Sequence, residues 1–253
     1  MEVTNSIIII PTYNELENIS KLLPDIFSIY PEVHVLIVDD NSPDGTAGKV
    51  RELQKQFPGQ IFLEEREGKK GLGTAYIYGF KWALQKGYEY IFEMDADYSH
   101  SPKAIQALYD ACVEQKYDMS IGSRYVKGGR VLNWPADRVL MSYYASVYVR
   151  LVSWMPVQDT TAGFVCYTRK VLESIDLDKI KFVGYAFQIE MKYAAYTLGF
   201  RIKEVPIVFT DRVEGNSKMS TGIFKEAVIG VLKMRLRSLS ESYRRKEGSL
   251  QTS

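Results

Sequence analysis

The chain has 253 residues, of which 25% are charged and 46% hydrophobic, as in an ordinary globular protein. The formal net charge is only +1, so the basic excess typical of nucleic-acid-binding proteins is missing and we expect no nucleic-acid partner. Two cysteines and two histidines leave little material for a disulfide framework, a zinc site or a histidine-based triad.

Strands alternate with helices through the first hundred residues, which is typical of a right-handed, doubly wound α/β sheet. Residues 6–10 form a continuous apolar run, as expected for a strand that is covered on both faces. The other expected elements are helices at 15–29, 46–57 and up to 86, and strands at 33–38, 61–64 and 90–94.

The second half is less regular. We expect helices at 102–114, 138–154, 186–198 and 223–239, and strands at 118–122, 164–167 and 201–209. The organisation predicts one domain over 1–240 and a polar, disordered tail over 241–253. The most apolar long stretch, 139–157, contains Arg150 and falls short of a clean span of about 20 residues, so we expect no transmembrane helix.

Asp95 and Asp97 directly follow the expected strand at 90–94. Residues two apart in an extended segment point the same way, so the two carboxylates would face one small volume. Such a pair needs a proton or a cation, and Mg²⁺ or Mn²⁺ commonly shares a site of this kind with a diphosphate. A solvated acidic turn is the alternative interpretation.

Polar residues also follow two other strands, at 11–15 and at 39–42. In open α/β sheets, ligands bind outside the carboxyl ends of the strands, so these groups are expected to converge on one edge. One of Asp39 and Asp40 would serve the local turn, and we favour Asp40 as the residue that meets a ligand.

Several basic residues lie in loops suited to phosphates. The glycine-rich segment 68–73 carries Lys69 and Lys70 but matches neither a P-loop nor a dinucleotide fingerprint. Arg124 follows a strand and could pair with a carboxylate or a phosphate. Arg212 and Lys218 could close over a diphosphate as a cationic lid, although an ordinary solvated loop fits the same pattern.

The last helix is expected to be amphipathic, with a basic side that fits either packing on the sheet or contact with an anionic membrane. Its apolar positions are Phe224, Val228, Val231, Leu232 and Leu239. The helix at 138–154 raises the same question, because its tyrosines and Trp154 are residues that favour a membrane interface.

Eight short motifs carry a family resemblance that runs from residue 7 to about 236. They are PTYNE at 11–15, VDDNSPDGT at 38–46, MDADYSH at 94–100, GSRY at 122–125, DTTAGF at 159–164, GYAFQIE at 184–190, EVPI at 204–207 and FTDRVEGNSK at 209–218. Together they resemble the family-2 glycosyltransferases of GT-A (Rossmann-like) fold, and more narrowly their dolichyl-phosphate (polyprenyl-phosphate) mannosyltransferase branch. The resemblance implies a mostly parallel sheet flanked by helices, with a carboxy-terminal amphipathic helix.

The resemblance also implies roles for individual residues. The implied nucleotide-sugar site consists of Pro11, Tyr13, Glu15, Val38, Asp40, Asp95, Ala96, Asp97, Arg124, Arg212 and Lys218. Asp95 and Asp97 would hold Mg²⁺ or Mn²⁺ with Ser99, which stands where some relatives have glutamine. The implied catalytic groups are Asp97, Arg124, Arg212 and Lys218.

The implied reaction is inverting transfer of mannose from GDP-mannose to a polyprenyl phosphate, which yields a β-linked product. The acceptor is already an anion, so we expect no essential general base and assign Asp159 a structural or acceptor-positioning role. The resemblance places the protein peripherally on the cytoplasmic face of a membrane, with an anchoring subunit or homo-oligomer as further partners.

Three other functions compete with this one. A polyprenyl-phosphate hexosyltransferase using UDP-glucose would share the fold and mechanism. A non-catalytic nucleotide-sugar-binding subunit would not need the charged groups described above. A Rossmann oxidoreductase is disfavoured because Pro11 and Tyr13 stand where a glycine fingerprint should follow the first strand.

Overall fold

The computed structural model describes residues 3–184, 186–211 and 221–246, with the side chains of 221–228 excepted. The first half follows the predicted alternation closely. Its elements are β1 (Ser6–Thr12), α1 (Leu16–Ile29), β2 (His34–Asp39), α2 (Thr46–Gln56), β3 (Ile61–Glu65), α3 (Leu72–Lys86) and β4 (Tyr90–Glu93).

The second half adds short elements that the sequence patterns did not predict, namely a strand at Arg130–Leu132, a helix at Arg169–Ser174 and two 3₁₀ turns. Its elements are a 3₁₀ turn at Pro102–Ala104, α4 (Ile105–Val113), β5 (Met119–Ser123), β6 (Arg130–Leu132), α5 (Ala136–Ser153), β7 (Val165–Thr168), α6 (Arg169–Ser174), a 3₁₀ turn at Leu177–Lys179, α7 (Ala186–Thr197), β8 (Ile202–Pro206), β9 (Val208–Thr210) and α8 (Thr221–Arg237).

The main sheet has the strand order β3-β2-β1-β4-β7-β5-β8, and a second, two-stranded sheet pairs β6 with β9. Every pairing in the main sheet is parallel except those of β7, which runs antiparallel to both β4 and β5. The predicted mostly parallel α/β sheet is therefore confirmed. The carboxyl ends of β1, β2, β4 and β5 share one edge, and antiparallel β7 begins there.

Two apolar clusters cover the opposite faces of the main sheet. Ile7 and Ile9 of β1 belong to one cluster, and Ile8 and Ile10 belong to the other. All four side chains are fully buried, because a central strand of a doubly wound sheet has no solvent-facing side. The continuous apolar run in the sequence reflects this double burial.

The strand predicted over 201–209 is divided in the structure. β8 pairs with β5 in the main sheet, whereas β9 pairs with β6 in the second sheet. Pro206 ends β8 and has no N–H to continue a hydrogen-bonded ladder, which suits an edge strand. After Ile207, whose N–H donates to the Ser123 carbonyl at 3.0 Å, the chain crosses over the site edge.

The carboxy-terminal segment packs differently from its prediction. Val231 of α8 is buried, but Leu232, and Leu239 just beyond the end of the helix, are 46% and 69% exposed although they were expected on the same face. Tyr243 is buried and its hydroxyl donates to Glu190 at 3.0 Å, and the Arg245 N–H donates to the Ser174 carbonyl at 2.9 Å, so residues 243–245 of the expected tail are held against the fold. Residues 247–253 lie outside the described part of the chain.

Among the residues that the structure describes, no helix combines the length and apolar character needed to span a membrane.

Candidate active site

One cavity of about 170 Å³ opens at the edge where the parallel strands end. Asp95, Asp97 and Ser99 reach it from the loop after β4, and Arg124 reaches it from the end of β5. The structure thus brings together four residues that the sequence placed in the site. They lie within 30 positions of each other, but the sheet order is what makes them neighbours.

The acidic loop is tightly held. The Tyr76 hydroxyl donates to Asp95 Oδ1 at 3.2 Å, and the Ser99 N–H donates to Asp97 Oδ1 at 3.1 Å. Tyr98 adopts φ 59°, a conformation that is uncommon for a large side chain and is found at constrained functional turns. Ala96 is buried between the two aspartates.

Ser99 supplies a third oxygen to this loop. Its hydroxyl is buried and has no hydrogen-bond partner among the described residues. Across residues 3–184, 186–211 and 221–246, no three His, Cys, Asp or Glu side chains form a metal-binding group. Two carboxylates and one hydroxyl therefore make a partial set of hard oxygen ligands, of the kind that a substrate's phosphate oxygens and water complete.

His100 supports the acidic loop and also lines the cavity. Its ring packs 5.0 Å from the Phe164 ring, and its Nδ1 faces the Asp95 N–H at 3.5 Å. Burial lowers the pKa of His100 to about 4, an effect that the negative charge of Asp97 only partly opposes. The imidazole is therefore neutral at pH 7 and serves as an acceptor toward the loop backbone. The sequence alone predicts no role for this residue.

Arg124 and Asp159 form a buried, bidentate ion pair. Arg124 Nε lies 2.7 Å from Asp159 Oδ2, and its Nη2 lies 2.6 Å from Oδ1. Burial acts to raise the pKa of Asp159, but the Arg124 charge and its hydrogen bonds outweigh it, so the pKa is lowered. We expected Arg124 to bind phosphates. In the structure its guanidinium is paired with Asp159, its Nη2 also donates to the Thr161 hydroxyl, and the residue still lines the cavity.

The far side of the cavity comes from residues that the sequence analysis did not single out. They are Trp134, Arg138, Met141 and Ser142 around the start of α5, Thr161 and Gly163 before β7, and Gln188 of α7. Arg138 stacks over Trp134 at 4.0 Å and pairs with Asp211 at 3.2 Å. Two of the sequence motifs include residues of this group: DTTAGF contains Thr161 and Gly163, and GYAFQIE contains Gln188.

The predicted nucleoside residues occupy neighbouring strand ends. Of the described residues that line the cavity, none is Pro11, Tyr13, Glu15, Val38 or Asp40. Thr12 and Ser42 hydroxyls donate to Asp39 at 2.7 and 2.6 Å, so Asp39 serves the turn as predicted.

Asp40 has a basic partner at the same edge. Arg66 Nε donates to Asp40 Oδ1 at 2.6 Å, and only 9% of each side chain is exposed. Nearby, the Lys69 ammonium lies 4.8 Å from the centre of the Tyr13 ring. Arg212 and Lys218, the predicted cationic lid, lie outside the described residues.

A buried ionic layer lies beneath the cavity floor. Glu93 and Lys192 are fully buried, and the Lys192 ammonium donates to the carbonyls of Ala162 and Gln188 at 2.6 and 3.0 Å. Burial raises the pKa of Glu93 and lowers that of Lys192, while each charge opposes the shift of the other. Lys192 thereby fixes the loop before β7 against α7.

Comparison with known proteins identifies the class. The model of the family "Glycosyl transferase family 2" matches residues 7–176, and the chain belongs to that family. It is therefore a glycosyltransferase, which confirms the resemblance inferred from the motifs and excludes the oxidoreductase alternative.

Two curated relatives are similar over most of their length. A polyprenol monophosphomannose synthase of Mycolicibacterium smegmatis is 44% identical over 92% of this chain and 87% of its own. An undecaprenyl-phosphate mannosyltransferase of Micrococcus luteus is 43% identical over 95% of this chain and 98% of its own.

Solved structures share the GT-A fold at low identity. Glucosyl-3-phosphoglycerate synthase of Mycobacterium tuberculosis, solved with Mn²⁺, UDP and glucosyl-3-phosphoglycerate, has a TM-score of 0.67 at 14% identity, covering 97% of this chain and 82% of that one. A mannosyltransferase of Pyrobaculum calidifontis, in complex with GDP-Man and Mn²⁺, has a TM-score of 0.60 at 18% identity, covering 95% and 66%.

Proposed function

We propose that this protein transfers mannose from GDP-mannose to a polyprenyl phosphate. The observation that carries the proposal is the double role of α5. Its first turns line the cavity through Arg138, Met141 and Ser142, and the same helix exposes Leu151 and the adjoining Trp154 by 71% and 73%. A cavity that joins acidic metal ligands to an apolar surface suits a nucleotide sugar on one side and a lipid phosphate on the other. The names of the two curated relatives support this pairing.

In this proposal Asp95, Asp97 and Ser99 hold Mg²⁺ or Mn²⁺ against the donor diphosphate. The unpartnered Ser99 hydroxyl and the two carboxylates at the same cavity fit such an ion. The bound metal would offset the negative charge that develops on the departing nucleoside diphosphate. Two structural neighbours were solved with Mn²⁺, which supports the choice of a divalent ion.

The nucleoside would lie along the ends of β1 and β2, against Pro11, Tyr13, Glu15, Val38 and Asp40. Tyr13 and Glu15 are partly exposed there and can meet a ligand. The backbone around Ala96 would contact the donor between its nucleoside and the metal ion. The choice of mannose and GDP is supported by the names of the relatives and of one structural neighbour. The fold is equally compatible with the alternative donor, UDP-glucose.

The acceptor phosphate would meet cations on the α5 side of the cavity. Arg124 and Arg138 both line it there, and Arg212 and Lys218 are proposed to join them. Bringing two anions together is the main electrostatic task of the enzyme, and preorganised cations accomplish it. Attack by the phosphate oxygen opposite the leaving group would invert the anomeric carbon.

No side chain is required as a general base, because a phosphate monoester is already ionised at neutral pH. Asp159 is fully buried and both of its oxygens accept hydrogen bonds from Arg124. This engagement favours a positioning role over proton transfer. We propose that Asp159 orients Arg124 toward the phosphates.

The proposed membrane contact is the apolar face formed by α5 and α8, which pack against each other. Its exposed side chains are Leu140, Tyr144, Leu151, Trp154, Ile229, Leu232, Leu236 and Leu239. Arg235 lies 5.0 Å from the Trp154 ring and contributes positive charge at that face. Location on the cytoplasmic side of a membrane, an anchoring subunit and self-association remain predictions from the sequence.

The test is a transfer assay with radiolabelled GDP-mannose, Mg²⁺ or Mn²⁺ and a short polyprenyl phosphate in detergent. We expect label in the organic phase, lost on adding EDTA. Asp97→Ala should reduce the rate at least about 100-fold, since several kcal/mol of charge stabilisation disappears. Asp178→Ala, at a side chain that is 79% exposed, is the matched control and should retain full activity.

The outcomes separate the alternatives. Transfer from UDP-glucose alone would keep the reaction type and change the donor. Failure of both donors, with GDP-mannose still bound, would favour the binding-subunit interpretation and overturn the proposed function.

A further inference from the structure

Gln188 has a buried amide whose hydrogen-bonding groups the fold uses only in part, through the buried carboxyl of Glu93. It lies in the first turn of α7, is only 3% exposed and lines the cavity. Its amide nitrogen lies beside the Glu93 carboxylate, whereas its amide oxygen has no hydrogen-bond partner among the described residues. Buried polar atoms are normally hydrogen-bonded, so an amide oxygen without a partner at a cavity wall points to a bound ligand.

Gly163 opens the space in front of this amide. A methyl group placed on Gly163 would lie 3.6 Å from Asp95 Oδ2 and 3.7 Å from Gln188 Nε2. The amide and the metal-facing carboxylate therefore border the same small volume. The lack of a side chain at 163 leaves that volume for a ligand.

The chemistry of this corner suits a neutral polyhydroxyl group. A carboxamide offers one acceptor and two donor hydrogens without charge, which matches neighbouring sugar hydroxyls. The nearest buried cation, Lys192, donates to the carbonyls of Ala162 and Gln188. The guanidinium groups of Arg124 and Arg138, which suit phosphate, reach the cavity from β5 and α5.

The order of strands places the same corner beyond the diphosphate. Along the site edge the strands run β2, β1, β4 and then β7. Adjacent strands are about 4.8 Å apart, so this edge extends over about 14 Å. A donor with its nucleoside at β1 and β2 and its diphosphate at β4 continues with its sugar toward β7, where Gly163 and Gln188 lie.

We infer that Gln188 binds the hydroxyl groups of the donor's sugar and helps to determine which hexose is transferred. The inference rests on the proposed function, because it requires a sugar-nucleotide donor at Asp95 and Asp97. It assigns a role to the GYAFQIE motif, which the nucleotide, metal and phosphate contacts leave unused.

Gln188→Met tests the inference. Methionine fills a similar volume without hydrogen bonds, and within the fold it removes only the contact with Glu93. We expect a Tm near that of the parent protein and an unchanged affinity for GDP, measured by calorimetry with Mn²⁺. The kcat/KM for GDP-mannose should fall at least about tenfold, and the preference for GDP-mannose over GDP-glucose should shrink.

Gln106→Met is the matched control. Gln106 on α4 also has a buried amide oxygen without a partner, but it does not line the cavity, so its kinetics should equal those of the parent protein. Gly163→Ala probes the same corner independently. Its methyl lies at ordinary contact distances, so folding should persist while KM for GDP-mannose rises.

An active parent enzyme whose Gln188→Met and Gly163→Ala variants keep the sugar kinetics would overturn this inference alone. A lower Tm with an equal loss of GDP affinity in Gln188→Met would assign the residue a structural role and overturn it as well. A parent protein that transfers no sugar overturns the proposed function, and this inference with it.

Discussion

At the residue scale, the Arg124–Asp159 pair organises the phosphate side of the site. Asp159 accepts three hydrogen bonds from Arg124, including one from its backbone N–H at 2.9 Å. Its own N–H donates to Glu204 at 2.9 Å, which ties the loop to β8. A buried ion pair of this kind fixes the positions of both side chains. Removing one partner strongly destabilises the fold, because the other charge is left buried without a counter-ion.

Asp159→Asn should leave the Arg124 charge buried without its counter-ion. We expect the free energy of unfolding to fall by about 3 kcal/mol at pH 7. The pKa of Asp159 is lowered in the folded state, so the pair's contribution is present above the unfolded pKa and is lost as pH falls through the folded one. Urea unfolding should therefore show a gap between parent and variant that narrows below about pH 4.

The control for this prediction is Asp178→Asn. Asp178 pairs with Lys81 at 2.6 Å, but its side chain is 79% exposed, and pairs of that kind contribute little. Equal stability of Asp159→Asn and the parent protein at every pH would contradict the organising role.

At the element scale, α3 approaches the central strand β1 through a glycine. A methyl group on Gly79 would lie 2.6 Å from the Ile9 side chain, which is fully buried. The helix can pack this closely on the sheet only because residue 79 has no side chain. A glycine inside a helix normally lowers the stability of that helix, so at position 79 the close packing outweighs the low helix propensity of glycine.

The same substitution should have opposite effects at two helical glycines. Gly79→Ala should lower stability by about 1–3 kcal/mol through overpacking against Ile9. Gly48→Ala, on the exposed side of α2 with no atom within 4 Å of the added methyl, should raise it by roughly 0.5–1 kcal/mol. Denaturant midpoints compare the two directly, and a loss of stability at both positions would refute the close-packing explanation.

Elements were predictable where the pattern was local and regular. The alternation of apolar strands and helices up to β4 gave boundaries within a few residues, because double burial leaves a continuous apolar run. β6 has three residues, two of them exposed, and therefore no readable periodicity. The predicted strand divides into β8 and β9 because its first part pairs with β5 and its last part pairs with β6. An alternating apolar pattern predicts a strand but does not indicate which strand it pairs with.

At the scale of the whole molecule, the cavity and the apolar face share α5. Met141 lines the cavity and is 43% exposed, so the helix connects the reaction site with the surface. This arrangement would let a lipid stay in a membrane while its phosphate enters the cavity.

Replacing both Leu151 and Trp154 with Glu should weaken membrane binding without harming the fold. Burying a Leu or Trp side chain contributes about 1.5–3 kcal/mol, so partitioning to anionic vesicles should fall at least about tenfold. Flotation measures the effect, and Ile29→Glu, at a side chain on α1 that is 37% exposed, is the control. Undiminished flotation of the double variant would rule out this face as the membrane contact.

The sheet type, the acidic edge and the family were all predictable from the amino-acid sequence. These follow from local signals, namely burial periodicity, polar residues at strand ends and short motifs such as the one containing Asp95 and Asp97. The pairing of Arg124 with Asp159, and the convergence of Gln188 and Arg138 on one cavity, are evident only in the folded chain. Such contacts join segments 35 or more residues apart, and their geometry is set by how helices pack on the sheet. No local pattern in the chain specifies that packing.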